Sequence, residues 1–341
     1  MKKEILYNKK SREELQAELQ NETFIRKTFS FYRYINIDQP EVLRNELYRS
    51  WSNMNIFGRI YISTEGINAQ GSCPENNWVE LIETLKSNVI LKEMPLKIAI
   101  EDGESFYKLK IKVKDEIVAY NVGKEEYNMN EVGHHLSAEE FNKKMAQDNT
   151  LVVDMRNYYE SEVGRFENAI IPDVDTSREL LPEVRKLLEG HEEEEVLLYC
   201  TGGIRCEKAS SYLIHSGFKH VNQLDGGIIQ YAHDVKTKGL TSKFIGKNFV
   251  FDSRMGERVT NDIIGKCHQC GNPADRHLDC GNDACHILFI QCDECYATYS
   301  GCCSKECEAF AKLPVEKQRI LRKDPDKVVS NARYSSRIKP K

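Results

Sequence analysis

The succession of apolar and polar positions reads as strand over 29–37, helix over 40–51, strands over 56–63 and 66–71, helix over 74–86 and strand over 95–100. That β-α-β-β-α-β order predicts a ferredoxin-like α+β sandwich. Residues 1 to about 25 read as a charged helix at its edge. Lys108, Lys110, Lys112 and Lys114 alternate with Leu109, Ile111 and Val113, so one strand face is basic and the other buried. Such a face suits phosphate contact or a solvated sheet edge. Phe29, Phe31, Tyr32, Arg33 and Tyr34 share one strand. Packing of the sheet core is the expected use, and stacking on unpaired bases the functional alternative. His134 and His135 precede a Ser137–Glu140 capping box and read as local structure.

From 151 to 235 the pattern changes to strands over 151–154, 196–199 and 221–224, alternating with helices over 179–189, 206–216 and 227–236. This predicts a parallel α/β sheet, whose ligands sit outside the carboxyl ends of its strands. Cys200 falls at that rim, between an apolar strand and a helix, in the loop Cys200-Thr201-Gly202-Gly203-Ile204-Arg205. Backbone N–H groups wrapped around a side chain at a helix N-terminus form an anion nest and favour the thiolate. The two glycines free the backbone, and Arg205 adds fixed positive charge. The expectation is a solvent-reachable thiolate of low pKa, against a structural cysteine that merely ends a strand. Asp154 and Arg156 are expected to pair beneath the loop. Cys206 is either a resolving thiol or a small apolar residue of the first helical turn.

Of twelve cysteines, nine lie between Cys267 and Cys307. No apolar stretch suits a secretion signal or a membrane span, so a cytoplasmic protein with reduced thiols is expected. Cys267, Cys270, Cys280, Cys285, Cys292, Cys295, Cys302 and Cys307 would supply eight thiolates, enough for two structural zinc ions. Which pairs share an ion, and whether His268, His277 or His286 replaces a cysteine, is open at this level. A net charge of −5 conceals ten Lys/Arg against three Asp/Glu over 312–341, a segment suited to phosphate contact or to a plain soluble tail. The expected organisation is α/β: a ferredoxin-like α+β domain over 25–130, a parallel-sheet domain over 131–240, a cysteine-rich zinc module over 241–315 and a basic tail over 316–341.

Residues 151–235 resemble a rhodanese domain, on Asp154, Arg156, Glu160, Gly164, Ala169, the C-x4-R loop and Leu224-Asp225-Gly226-Gly227. Arg165-Phe166 stands where that family often has His-Ile. Related phosphatases carry a loop one residue longer, which disfavours phosphatase chemistry. The whole order adds Lys108-Leu109-Lys110, Phe249-Val250-Phe251-Asp252-x-Arg254 and the CHQCG to GCCSKEC cluster. Over about 25–312 it resembles the bacterial oxygen-dependent tRNA uridine hydroxylase family. The resemblance implies formation of 5-hydroxyuridine at the wobble position in the anticodon loop of tRNA, with Cys200 as the active cysteine. It also implies dioxygen and an unidentified reductant as co-substrates. No flavin, haem or non-haem iron signature stands in the sequence. A sulfurtransferase carrying a persulfide on Cys200 is the alternative.

Overall fold

The computed structural model describes residues 6–92 and 94–323, so the expected basic tail lies outside the described residues from 324 onward. The first sheet has five strands in the order Lys97–Ile98, Arg26–Tyr34, Gly66–Pro74, Phe57–Ser63 and Leu109–Val113. All neighbours are antiparallel except the last pair, so the lysine-rich strand extends the expected sandwich by one parallel edge. Helices Pro40–Asn53 and Trp78–Ser87 cover one face of this sheet. Pro40 starts the first helix where its missing N–H costs nothing, and Leu43, Leu47 and Trp51 follow at four-residue spacing, which puts them on one buried stripe.

The strand Arg26–Tyr34 divides its aromatics by parity. Phe29 and Phe31 stack with ring centroids 6.3 Å apart, and Trp51 meets each edge-on. Tyr32, one residue on, points to the opposite face, as the two-residue period of a strand requires.

The second sheet is parallel, in the order His134–Leu136, His220–Leu224, Glu195–Tyr199 and Thr150–Asp154. Apolar clusters cover both faces: Leu197 and Tyr199 belong to one, Val196, Leu198 and Cys200 to the other. A third, antiparallel sheet joins Gly164–Phe166 to Phe244–Asn248 and Glu257–Arg258, which stitches the C-terminal segment to the parallel-sheet unit. Beyond it stand the hairpin His277–Asp279 and Leu288–Ile290 and short helices including Asp293–Tyr299 and Lys305–Ala311.

A buried cation holds the first two units together. Lys208, fully buried on helix Ile204–His215, lies 2.8 Å from Glu65 and 3.0 Å from Glu116. Glu65 also accepts the Ile117 N–H at 2.7 Å, so the pair fixes the turn after Phe57–Ser63 against that helix. Among the described residues no helix is long and apolar enough to cross a membrane.

Candidate active site

Cys200 follows the central strand Glu195–Tyr199 directly, and the helix Ile204–His215 begins four residues later. Gly203 turns the chain at φ 96°, a left-handed conformation that glycine adopts without steric cost, and its N–H donates to Cys200 Sγ at 3.1 Å. Gly227 lets a second backbone close on the loop: a Cβ there would stand 2.6 Å from Cys200 O and 2.8 Å from Gly202 N. The next residues seal that approach, Ile228 and Ile229 donating their N–H groups to Cys200 O and Thr201 O.

Burial alone would raise the Cys200 pKa. The Cys206 thiol, the Arg205 guanidinium and the backbone N–H groups of Cys206 and Arg205 outweigh it and bring the thiol down to about 5. Cys206 moves the other way: burial, then its hydrogen bond to Cys200, keep its own thiol protonated. Cys206 sits in the apolar core in the first turn of its helix, as one reading of its position expected, and its thiol is in addition a donor to the thiolate.

Arg205 is committed. Its two terminal nitrogens donate to the Glu160 carboxylate at 2.6 and 2.8 Å, and one also reaches Thr201 Oγ1 at 3.3 Å. Glu160 was visible in the sequence only as a pattern position; its signal was the Asn157–Glu160 capping box, which fixes the carboxylate by the Asn157 N–H at 3.0 Å. Asp154 and Arg156 form a fully buried forked pair at 2.8 and 2.7 Å. The Ser161 and Tyr199 hydroxyls donate to Asp154 and Arg156 donates to Gly164 O, which leaves Arg156 Nη1 buried without a hydrogen-bond partner among the described residues. The pair props the strand ends and does not reach the cavity wall.

The wall belongs to all three units. A cavity of about 560 Å³, within the usual range for a small-molecule site, is lined by Cys200, Thr201, Gly202, Ile204 and Arg205 together with residues of the first sheet and of 250–257. Arg254, Asp252 and Glu257 close one side as an ion-paired cluster, with Arg254 bonded to Asp252 at 2.9 Å and to Glu257 at 2.6 Å. Cys200 differs from expectation in one respect: its side chain has no exposed surface. The first unit accounts for this, since the Tyr32 hydroxyl lies against Gly203 and donates to Glu207 at 3.1 Å, while the Tyr34 hydroxyl donates to Ile204 O at 3.2 Å. His135 likewise reaches Glu207 at 2.8 Å rather than serving its own turn. None of these tyrosine contacts was legible locally, because the partners lie 170 or more residues apart.

The cysteine-rich segment forms two tetrads, Cys267, Cys270, Cys292 and Cys295, and Cys280, Cys285, Cys303 and Cys307, each with its sulfurs within 4.8 Å of one another. Four thiolates around a tetrahedral zinc at about 2.3 Å would lie roughly 3.8 Å apart. Pairs such as Cys270–Cys292 at 3.6 Å and Cys285–Cys303 at 3.7 Å fit that spacing, so each tetrad can bind a metal. Cys303 takes the place that the sequence assigned to Cys302. Ser304 caps the helix Lys305–Ala311, so Cys303 and Cys307 lie four apart on one side of its first turn, 3.6 Å from each other. Cys302 points elsewhere, to Ser300 O. None of the three histidines joins a tetrad: His268 pairs with Glu162 at 3.1 Å, and buried His277 packs edge-on against Phe249.

A thiolate in a C-x4-R loop at the rim of a four-stranded parallel sheet is the arrangement of a rhodanese-type protein. Three family models match in turn: a UPF0176 acylphosphatase like domain over 26–117, a Rhodanese-like domain over 137–234 and a Rhodanase C-terminal region over 245–308. The tRNA uridine(34) hydroxylase of Leptospira interrogans is 51% identical over 342 residues, a match covering 100% of this chain and 93% of the relative. The protein of that name from Yersinia pestis is 48% identical over 320 residues, covering 93% and 90%. The chain belongs to the tRNA uridine(34) hydroxylase family.

Proposed function

We propose that this protein hydroxylates uridine 34 of tRNA at C5, forming 5-hydroxyuridine, with Cys200 as the catalytic nucleophile and Thr201 to Arg205 as its supporting loop. The observation that carries the reading is Cys200, its sulfur held by the Gly203 N–H in a loop that lines a cavity large enough for one nucleobase. Uridine 34 lies in the single-stranded anticodon loop, where a base swings out at less cost than from a duplex. The thiolate adds to C6 and leaves C5 carbanionic. Dioxygen bonds to C5, and a two-electron reductant with two protons releases its second oxygen as water. Loss of the C5 proton then expels Cys200. A thiol of pKa about 5 attacks less eagerly than an ordinary cysteine but leaves more readily, which suits this final step. The cysteine tetrads hold structural zinc in this reading; four thiolates leave no open coordination position, so the ions fix the segment that carries Phe251 and Arg254. The protein works in the cytoplasm, on the tRNA pool.

The test is mass spectrometry of tRNA nucleosides from cells lacking the protein, complemented with the wild type or Cys200→Ala. Only the wild type should restore 5-hydroxyuridine, and an anticodon stem-loop bearing 5-fluorouridine should leave a covalent adduct on the Cys200 peptide. Restoration by Cys200→Ala would refute the assignment. Transfer of labelled thiosulfate sulfur to cyanide, with no tRNA requirement, would favour the persulfide carrier instead.

A further inference from the structure

The five-stranded sheet turns its apolar side to two helices, and its other side is polar. The strand register arranges that polar side in two cross-strand rows. Lys97, Ser30, Gln70, Arg59 and Lys110 are successive neighbours in the first. Tyr32, Asn68, Tyr61 and Lys112 are successive neighbours in the second. With strands about 4.8 Å apart, the four gaps of the first row span roughly 19 Å.

Both rows lead to the thiolate. Arg59, Tyr61, Asn68, Gln70 and Lys110 line the same cavity as Cys200 and Gly202. At one end Tyr32 and Tyr34 dock on Glu207 and Ile204; at the other, Lys110 and Lys112 are exposed at the edge strand. Among the described residues, Arg59, Lys110 and Lys112 have no carboxylate at ion-pair distance. Lys110 loses proton affinity first to burial and then to Lys112, Arg59, Lys108 and Lys114, so these cations repel one another. A rigid sheet that holds like charges together without an internal counter-ion is built for an external anion. The half-buried ring of Tyr61 stands between Asn68 and Lys112, and an aromatic face framed by cations suits unpaired bases, which a duplex does not offer.

We infer that this sheet face is the platform for the single-stranded anticodon-loop nucleotides that flank the target uridine: Arg59, Lys110 and Lys112 bind backbone phosphates, Tyr61 stacks a base and Gln70 contacts a base edge. The identity of the RNA rests on the hydroxylase reading; the surface itself does not. A four-stranded sheet is wide enough to stack two or three bases, and this one has five strands.

Fluorescence anisotropy with a labelled anticodon stem-loop RNA and the full-length protein tests the surface. Arg59→Ala and Lys110→Ala should each raise Kd by roughly tenfold and lower the slope of log K against log salt by about 0.7. Tyr61→Leu should weaken binding by roughly 5- to 100-fold while Tyr61→Phe stays near the wild type, because stacking needs the ring and not the hydroxyl. Lys219→Ala, exposed at the opposite end of the parallel sheet from Cys200, should change nothing. Arg59→Lys should keep the salt slope, which guards against a folding artefact in Arg59→Ala. Kd and slope unchanged in all three platform variants, or a duplex RNA bound as tightly as the stem-loop, would overturn the inference. Hydroxylation that persists while binding ignores the platform removes the surface alone. Binding that depends on the platform in a protein making no 5-hydroxyuridine upholds the surface and removes the reaction.

Discussion

Cys206→Ala isolates the force that keeps Cys200 ionised. Among the groups that hold the Cys200 pKa at about 5 against burial, the Cys206 thiol ranks first. A hydrogen bond to a charged group contributes roughly 1.5–3 kcal/mol, and one pKa unit corresponds to about 1.4 kcal/mol, so its loss should raise the pKa by about 1 to 2 units. At pH 6 the thiolate fraction then falls from roughly nine-tenths to between about one-half and one-tenth, whereas at pH 8 it stays near or above nine-tenths. The assay is the rate of iodoacetamide alkylation at the Cys200 peptide, followed by mass spectrometry at both pH values. The ratio of the two rates cancels any change in access left by the missing sulfur. That ratio should fall two- to tenfold in Cys206→Ala and stay near the wild type in Cys206→Ser, whose hydroxyl still donates. An unchanged ratio in Cys206→Ala would show that the loop amides and Arg205 suffice, and the geometric argument for Cys206 would be wrong. The sign for stability runs the same way. The folded pKa lies below the ordinary thiol value of 9.0, so the ionised thiol stabilises the fold above that value, and this contribution drains away as pH falls toward about 5.

Other perturbations address the frame of the site. Lys208→Met leaves Glu65 and Glu116 facing each other without their cation; because those carboxylates keep 17% and 25% exposure, the cost should fall near 3 kcal/mol, the lower end for a broken buried pair. Limited proteolysis between 117 and 137 should accelerate in that variant, and an unchanged rate would show that the two units hold without the latch. Arg156→Met strands a fully buried Asp154 carboxylate and should cost about 3–5 kcal/mol, read as an earlier urea midpoint. Plasma mass spectrometry should find two metal ions per chain, one in Cys303→Ser and still two in Cys302→Ser; the reverse order would restore the ligand set expected from sequence.

Local chemistry was legible in the sequence where neighbours along the chain are neighbours in space. The C-x4-R loop, the Asp154–Arg156 fork and the C-x2-C pairs all close within a few residues, so spacing and residue type determined them. The ligand error shows the limit of spacing alone: adjacent Cys302 and Cys303 are equivalent as a pattern, and only the helix that starts after Ser304 decides which sulfur stands beside Cys307 in the tetrad. Glu207 and Lys208 went unassigned because each acts on a group brought near by the fold. The aromatic strand bears out its core reading in part: Phe29 and Phe31 fill the core, while Tyr32, on the opposite face, makes a contact with Glu207 beside the loop that neither reading contained. Parity along the strand carried that distinction, but only the structure shows which parity meets the helices.

The placement of charge explains how a polyanion can be handled beside an ionised nucleophile. If Arg205 were the phosphate ligand, each RNA that bound would draw its guanidinium away from the thiolate and push the Cys200 pKa upward at the moment of attack. Instead Glu160 already saturates Arg205 with two short hydrogen bonds, so the pair is nearly neutral at a distance and offers little to an incoming phosphate. The thiolate is held by donors that do not move: the Gly203 N–H, the amides of the helix start and a protonated Cys206. Cations with no carboxylate at ion-pair distance among the described residues stand on the sheet face, at Arg59, Lys110 and Lys112, where phosphate binding would relieve their mutual repulsion without removing support from the sulfur. The division also separates two salt responses. Binding through the sheet should weaken steeply with ionic strength, whereas the pKa of buried Cys200, surrounded by fixed dipoles, should hardly move. A Cys200 alkylation profile that shifted with salt as strongly as RNA binding does would place both tasks on the same cations and contradict this arrangement.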